Sequence, residues 1–552
     1  MTDPSTRAAR EIAHGRKLIE NDSKGGSLSA WLVAASYALL IPAWIAGNPP
    51  GAAPDEWGHY LRAVAIGHGQ LLGGPSGLEG ARAIVGAERP PELTEDIYRK
   101  ELAWVAQNAR KVHIPAGLTP GWFRCEGRDP RVSAGCLRRS PPLSEAGDWF
   151  IPSANYQPLP YLVPALVSRI GADPDTLSRL MRAGKGLISW LFIVAAVFLL
   201  WSPDSRLVSL IGLLVALTPM AVFLSATLNP SGLEITSALG FVCALLCLGR
   251  GNTHPGAWLA LGTSGFVLAL SRIQGPVWVL LDLGVVLLLT GVGPALSTAL
   301  RHRRWSLFAL IMVGCGIFLN RLWEYLYGPS LQFDPTPLGA SLLDGVAQLP
   351  VVLREQIGVF SYLEFVLPRL AYVLWGSLTV ALCVTAMLLG SRRQRLVLLL
   401  TASAALALPV LLVAASMRHT GFGLQGRYVL AFSLIVPLLA GEIVASQFQR
   451  LRAINAGHLF FPFAVGVALV QFVAWWKNAE RFAVGVGGPL WFFGSADWNP
   501  PGGWWPWLAL AAGGASLLVL AAPIDWLLTR QWRGQSLSVS GSGLVRDTEA
   551  GM

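Results

Sequence analysis

The chain has 552 residues, of which 53% are hydrophobic and only 13% charged, about half the charged fraction of soluble domains. This composition excludes a soluble globular protein. The formal net charge of +10 is spread over short segments and forms no single basic stripe, so we expect no nucleic-acid partner. Basic residues in short loops instead set the orientation of membrane helices.

The predicted elements begin with segment 1–27, which mixes acidic and basic residues without an apolar core and predicts a cytoplasmic tail. Crossing the hydrocarbon layer needs roughly 20 mostly apolar residues. The candidate spans are 28–47, 184–201, 207–226, 234–249, 257–271, 275–292, 305–322, 366–390, 396–415, 428–446, 458–476 and 504–528. The sequence therefore predicts an all-α integral membrane protein of about twelve transmembrane helices, with a membrane domain over 28–531 and a cytoplasmic tail over 532–552.

Four short segments rich in arginine indicate how these spans are oriented. They are Arg301–Arg304, Ser391–Arg395, Arg450–Arg452 and Thr529–Arg533. The positive-inside rule places all four, and both termini, in the cytoplasm. The long loops 48–183, 323–365 and 477–503 then lie outside, and we expect the functional residues of this multi-pass cell-membrane protein on the extracytoplasmic face.

The large first loop, 48–183, contains Cys125 and Cys136, whereas the other four cysteines fall in predicted spans. An extracytoplasmic compartment that is oxidising favours a disulfide between them. The alternative is two free, solvated thiols.

Ionisable residues cluster directly after the first span, in PDEWGHYLRA over 54–63. Asp55, His59 and Arg62 recur at a spacing that puts them on one face of a helix. Ionisable groups near a membrane cost free energy, so their presence here favours a functional role. The alternative is a well-formed helix start, with Pro54 in the first position and acidic groups beside the positive end of the helix dipole.

Three segments carry a family resemblance. PDEWGHYLRA over 54–63 resembles a signature of the bacterial membrane proteins known as the domain of unknown function 2142 family. NYQPLPYL over 155–162 is similar to the family's Tyr-Pro-Pro-Leu-Tyr-Tyr-like segment, with Gln157 where many relatives have proline. QGRY over 425–428 resembles a third element. The order and spacing of the three run through most of the chain.

That family in turn resembles the membrane glycosyltransferases of the GT-C fold. Their first outer loop begins with an acidic pair, carries helices along the membrane interface and ends in a proline-leucine segment. The resemblance implies a sugar donor on polyprenyl phosphate, a glycan or lipid-linked acceptor, contact with membrane lipids and often a divalent cation.

On this resemblance, Asp55 is the expected catalytic base, and Glu56 is a second catalytic carboxylate. Both are candidate ligands for Mg, Mn or Ca, because these cations prefer oxygen ligands. Arg427 is expected to hold the leaving phosphate in a bidentate fork; the alternative is an arginine that only anchors a helix end. The further candidate substrate-binding residues are His59, Arg62, Tyr156, Arg272, Gln425 and Tyr428. Arg182, just before the second span, is expected to anchor it at the interface.

Two other functions fit an envelope protein of this kind: a transporter or flippase of a glycolipid precursor, and a noncatalytic scaffold for envelope assembly. A flippase should expose polar residues through the full depth of the membrane, whereas the ionisable groups here cluster at one face. A scaffold can lose the leading acidic residues, yet both are present. The sequence therefore favours the enzyme.

Overall fold

The structure is a computed structural model that describes residues 28–89, 94–119, 129–139, 145–328, 337–420, 423–448 and 456–544. The helices in these ranges are α1 (Leu28–Gly47), α2 (Glu56–Gly67), α3 (Gly77–Val85), α4 (Glu95–Asn108), α5 (Leu162–Val167), α6 (Pro174–Leu200), α7 (Ile211–Ala216), α8 (Pro219–Ser225), α9 (Pro230–Gly249), α10 (Pro255–Ser271), α11 (Gly275–Thr290), α12 (Val292–Arg301), α13 (Arg303–Tyr327), α14 (Leu338–Gly358), α15 (Arg369–Leu389), α16 (Arg392–Thr420), α17 (Leu430–Ser433), α18 (Ile435–Gln447), α19 (Ala456–Val484) and α20 (Trp505–Leu544). The strands are β1 (Gly74–Pro75), β2 (Arg110–Ile114), β3 (Gly147–Ile151), β4 (Val359–Phe360) and β5 (Phe365–Val366).

Within the described ranges, nine helical segments are long and apolar enough to cross a membrane, and eleven if two bent pairs each count as one span. The predicted helical, multi-pass membrane protein is therefore confirmed. The remaining predicted span, 257–271, corresponds to α10, which has 17 residues. That helix is shorter than the roughly 20 residues that a full crossing needs.

The predicted span 207–226 is broken in the middle. The helical segment that ends at Ala216 and helix α8 meet at an angle of 74°. Pro219 occupies the first turn of α8, and the Thr218 hydroxyl accepts a hydrogen bond from the Ala221 N–H at 3.2 Å. A proline preceded by a capping threonine starts a new helix. Hydropathy does not reveal the break, because both halves are apolar.

A second bend follows α11, where α12 turns away by 102°. Gly291 joins the two helices with a φ of 99°, a conformation that favours glycine. The predicted span 275–292 therefore ends at Thr290, and the predicted basic loop Arg301–Arg304 forms the end of α12 and the start of α13 instead.

The first predicted outer loop contains four short helices, α2 to α5, and a small sheet. The sheet has the order β1-β2-β3, with antiparallel pairing between Gly74 and Lys111 and between Arg110 and Ile151. A buried apolar cluster joins α2 to this sheet through Leu61, Val64, Val112, Ile114 and Ile151. The small sheet therefore packs against α2.

Four predictions concern the edges of the described ranges. Cys136 is a disulfide cysteine, but Cys125 lies outside the described residues, so their pairing stays a prediction. The tail 1–27 and the Arg450–Arg452 segment also lie outside them. Helix α20 continues to Leu544, past the predicted end of the membrane domain at residue 531.

Candidate functional site

The site is built around the turn that precedes α2. Asp55 stands immediately before the helix with a left-handed φ of 59°, and its carboxylate makes no capping hydrogen bond. Such a conformation costs about 1–3 kcal/mol and often marks a functional position. The turn is held because the Asn229 side chain donates to the Pro54 carbonyl at 3.0 Å. The Asp55 side chain therefore does not cap the helix, and α2 begins at Glu56, after the position expected from Pro54.

The carboxylate of Asp55 instead faces Arg427. An Nη atom of Arg427 donates to Asp55 Oδ2 at 2.6 Å and to the Tyr428 hydroxyl at 3.1 Å. The Arg427 side chain is only 2% exposed, whereas that of Asp55 is 55% exposed. The structure thus joins two candidates separated by 372 positions into one ion pair, with the carboxylate on the accessible side.

Arg272 supplies a second guanidinium group beside this pair. It lies between α10 and α11, and its guanidinium carbon is 4.3 Å from the centre of the Tyr428 ring and 5.4 Å from that of Tyr156. Cations are attracted to the faces of aromatic rings at such distances. Ser231 accepts a hydrogen bond from Arg272 at 2.9 Å, and Glu234 lies 4.0 Å from it.

These cations determine the charge state of the site. Partial loss of water around Asp55 acts to raise its pKa, but the charge and hydrogen bond of Arg427 outweigh this effect and hold the pKa below its ordinary value. Burial also acts to raise the pKa of Tyr428, yet Arg427 and Arg272 keep it low. Asp55 is therefore an ionised carboxylate beside two guanidinium groups.

His59 lies behind Asp55 and does not face the accessible side. Its side chain is buried, and its Nδ1 shares a hydrogen bond of 2.8 Å with the Tyr161 hydroxyl. Burial lowers the pKa of His59 to about 3, so the imidazole is neutral near neutral pH. The structure gives His59 a place in the wall of the site, beside the ring of Tyr156.

Arg62 also points into the protein. Its guanidinium group donates to the backbone carbonyls of Ala154 and Tyr156 and lies 5.2 Å from the centre of the Tyr161 ring. The predicted role in substrate binding does not fit these contacts, because its terminal donors are occupied by the chain itself. Arg62 instead holds the segment that carries Tyr156.

The same segment contains Gln157, where the resemblance to the family leads us to expect proline. Its side-chain amide donates to Glu324 near the end of α13 at 2.9 Å. The neighbouring Trp323 donates to the Asn155 carbonyl at 2.7 Å. Two residues of α13 therefore fix the turn that a proline would otherwise stiffen.

Glu56 is not part of the accessible site. Both of its oxygens accept hydrogen bonds from Arg182, at 2.7 and 2.8 Å, and both side chains are almost fully buried. The backbone N–H groups of Ala53 and Leu228 donate to the same carboxylate at 3.1 and 2.9 Å. The prediction of Glu56 as a catalytic residue conflicts with these contacts, and Arg182 is a buried ion-pair partner, not an interfacial anchor.

A divalent cation does not fit these residues as predicted. The carboxylate of Glu56 already accepts four hydrogen bonds, which leaves Asp55 as the single carboxylate of the predicted metal pair. Asp55 itself accepts from Arg427. The residues that the structure describes contain no group of three His, Cys, Asp or Glu side chains arranged to hold a metal ion.

The structure adds Glu355 of α14, which the sequence did not indicate. Its carboxylate accepts a hydrogen bond of 2.5 Å from the Gly426 N–H, directly before Arg427. No motif marks Glu355, because the contact joins a helix to a turn 71 positions later. Gln425, a predicted substrate ligand, begins this turn, and its buried side-chain oxygen has no partner among the described residues.

Position 426 requires glycine because the backbone of α14 approaches it closely. A Cβ atom there would lie 2.5 Å from the Val352 carbonyl oxygen and 2.9 Å from the Gln356 nitrogen, whereas at Gly423 it would meet only the end of the Gln348 side chain. We expect Gly426→Ala to lower the free energy of unfolding by about 1–3 kcal/mol through overpacking. Thermal unfolding in detergent checks this, with Gly423→Ala as the matched control. Equal stability of the two variants would contradict the argument.

Comparison with known proteins supports the resemblance carried by the three segments. A family model described as a predicted membrane protein, DUF2142, matches residues 39–436. The chain belongs to this family. The match includes the Asp55 turn, the 155–162 segment and the QGRY turn, so each part of the ion-paired site lies within the family region. No curated protein matches the chain.

Proposed function

We propose that this DUF2142 member is a membrane glycosyltransferase. It transfers a sugar from a polyprenyl-phosphate donor to a cell-envelope glycan or lipid-linked acceptor on the extracytoplasmic face. The observation that carries the proposal is the Asp55–Arg427 pair, in which an accessible carboxylate lies 2.6 Å from a buried guanidinium group. Arg272, whose guanidinium carbon lies 4.3 Å from the centre of the Tyr428 ring, adds a second cation to the same site.

The reaction needs a base and an anion site close together. The acceptor hydroxyl gives its proton to Asp55 as its oxygen forms a bond to the anomeric carbon of the donor sugar. The bond between that carbon and the phosphate oxygen breaks, and its electron pair stays on the phosphate. Arg427 stabilises the negative charge that develops there.

Because Asp55 and Arg427 are paired directly, the steps of the reaction follow in a fixed order. A carboxylate held by an arginine is a weak base, because the cation favours its ionised form. A donor phosphate competes with Asp55 for the same guanidinium donors. The buried Arg427 Nε–H has no acceptor among the described residues. Once the phosphate takes part of the positive charge, the pKa of Asp55 rises and the base becomes stronger.

The phosphate part of the proposal can be tested without knowing the sugar. We expect purified protein to bind undecaprenyl phosphate, and Arg427→Lys to bind it about tenfold more weakly, because lysine cannot form the bidentate fork. Native mass spectrometry measures both. Arg99→Lys, at an exposed arginine of α4, is the charge-matched control. Equal binding by wild type and Arg427→Lys would remove Arg427 as the phosphate ligand.

A further inference from the structure

Helix α14 lies beside the site and has two different faces. One face is buried and includes Ser341, Gly345, Val352 and Glu355. The opposite face is apolar and exposed, with Leu343 72% and Val346 58% accessible. Helix α14 is not among the segments that qualify as membrane spans, so a further contact must explain why its outward face is apolar.

The first half of α14 packs against a membrane-spanning helix. A Cβ atom on Gly345 would lie 2.5 Å from the carbonyl oxygen of Val410 in α16. Val410 belongs to the candidate span Arg392–Ser416, and its neighbours Leu406 and Leu411 are exposed apolar residues. The buried face of α14 therefore packs against a candidate membrane span that carries exposed apolar residues close to the contact.

The second half of α14 reaches the site. Val352 packs against Gly426, and Glu355 holds the Gly426 N–H. Gly345 and Val352 are two turns apart, or about 10 Å along the helix axis. Helix α14 thus extends from the flank of a span to the QGRY turn, with its outward face turned away from both.

We propose that the outward face of α14 contacts the acyl chains of the membrane leaflet on the side of the Asp55–Arg427 pair. In this position α14 forms a wall of the site that is exposed to lipid. Besides Glu355, α14 carries two charged residues, Asp344 and Arg354. Asp344 is about 100° around the axis from Leu343, towards the flank of the apolar face, and Arg354 lies near the end at the site, where a headgroup can meet it. The inference does not depend on glycosyl transfer.

Spin labels measure this contact directly. A nitroxide is attached to Val346→Cys in a protein whose free, incompletely buried cysteines, Cys315 and Cys383, are replaced by alanine. The protein is reconstituted in vesicles of phosphatidylethanolamine and phosphatidylglycerol. Collision rates with oxygen, which concentrates in lipid, are compared with those of a water-soluble nickel complex. The span control is Val380→Cys in α15, and the water control is Leu78→Cys in α3, both at exposed positions.

We expect the oxygen-to-nickel ratio at residue 346 to be severalfold higher than at residue 78 and close to that at residue 380. A ratio nearer to that at residue 78 would overturn the proposal. A second label, at Leu343→Cys, provides the same measurement should the first variant fold poorly. Loss of undecaprenyl phosphate binding in Arg427→Lys tests the function separately and has no bearing on this ratio.

Discussion

Replacing Glu56 with glutamine is expected to lower the free energy of unfolding by about 3–5 kcal/mol, because it leaves a buried arginine without its counter-charge. Arg182 is fully buried and donates to both oxygens of Glu56. Glutamine keeps the shape of the side chain but loses the negative charge and one acceptor. Apparent unfolding temperature in detergent, together with the yield of folded protein, measures the effect.

Glu95→Gln is the matched control, because Glu95 pairs with Arg99 at an exposed position of α4. Exposed ion pairs contribute about 0–1 kcal/mol to stability. This variant should therefore have the same apparent unfolding temperature as the wild type. A double variant that replaces Glu56 and Arg182 with apolar residues should recover part of the stability. If Glu56→Gln remained as stable as the wild type but lost activity, the catalytic role expected from the sequence would be restored.

The sequence predicted the class of fold well, because composition and apolar segment length report directly on the membrane. It also indicated Asp55 and Arg427 through two family motifs, and the structure brings these residues into contact. Spacing along α2 was less informative. A separation of four and seven residues places His59 and Arg62 on the same side as Asp55, but it does not reveal that the 154–161 segment packs over them.

The contacts of Glu56 and Glu355 could not be read from the sequence for a related reason. Their partners, Arg182 and Gly426, are 126 and 71 positions further along the chain, and no local pattern pairs them. The break at Thr218 and Pro219 was different, because the sequence itself contains the residues that indicate it. A capping threonine before a proline marks a helix start, and an average over apolar residues conceals it.

Asp55→Asn is expected to reduce sugar transfer by about 10²–10⁴-fold, the usual contribution of a general base. Asparagine retains an oxygen that can accept from Arg427, so folding and undecaprenyl phosphate binding should stay close to wild type. Transfer of labelled sugar from polyprenyl-phosphate donors in membranes carrying each variant measures the loss. The ionised base is required, so activity should be lost as the pH falls through the pKa of Asp55 and present above it.

Asp148→Asn separates this effect from a general loss of loop charge. Asp148 lies in the same predicted outer loop and pairs with Lys111 at 2.9 Å, but it is exposed and belongs to the sheet, so its variant should transfer sugar normally. Three measurements then distinguish the possibilities. Lost transfer with retained phosphate binding supports Asp55 as the base. Loss of undecaprenyl phosphate binding would instead show that Asp55 positions Arg427, because the two groups are in direct contact. Wild-type transfer by Asp55→Asn removes it from the chemistry altogether.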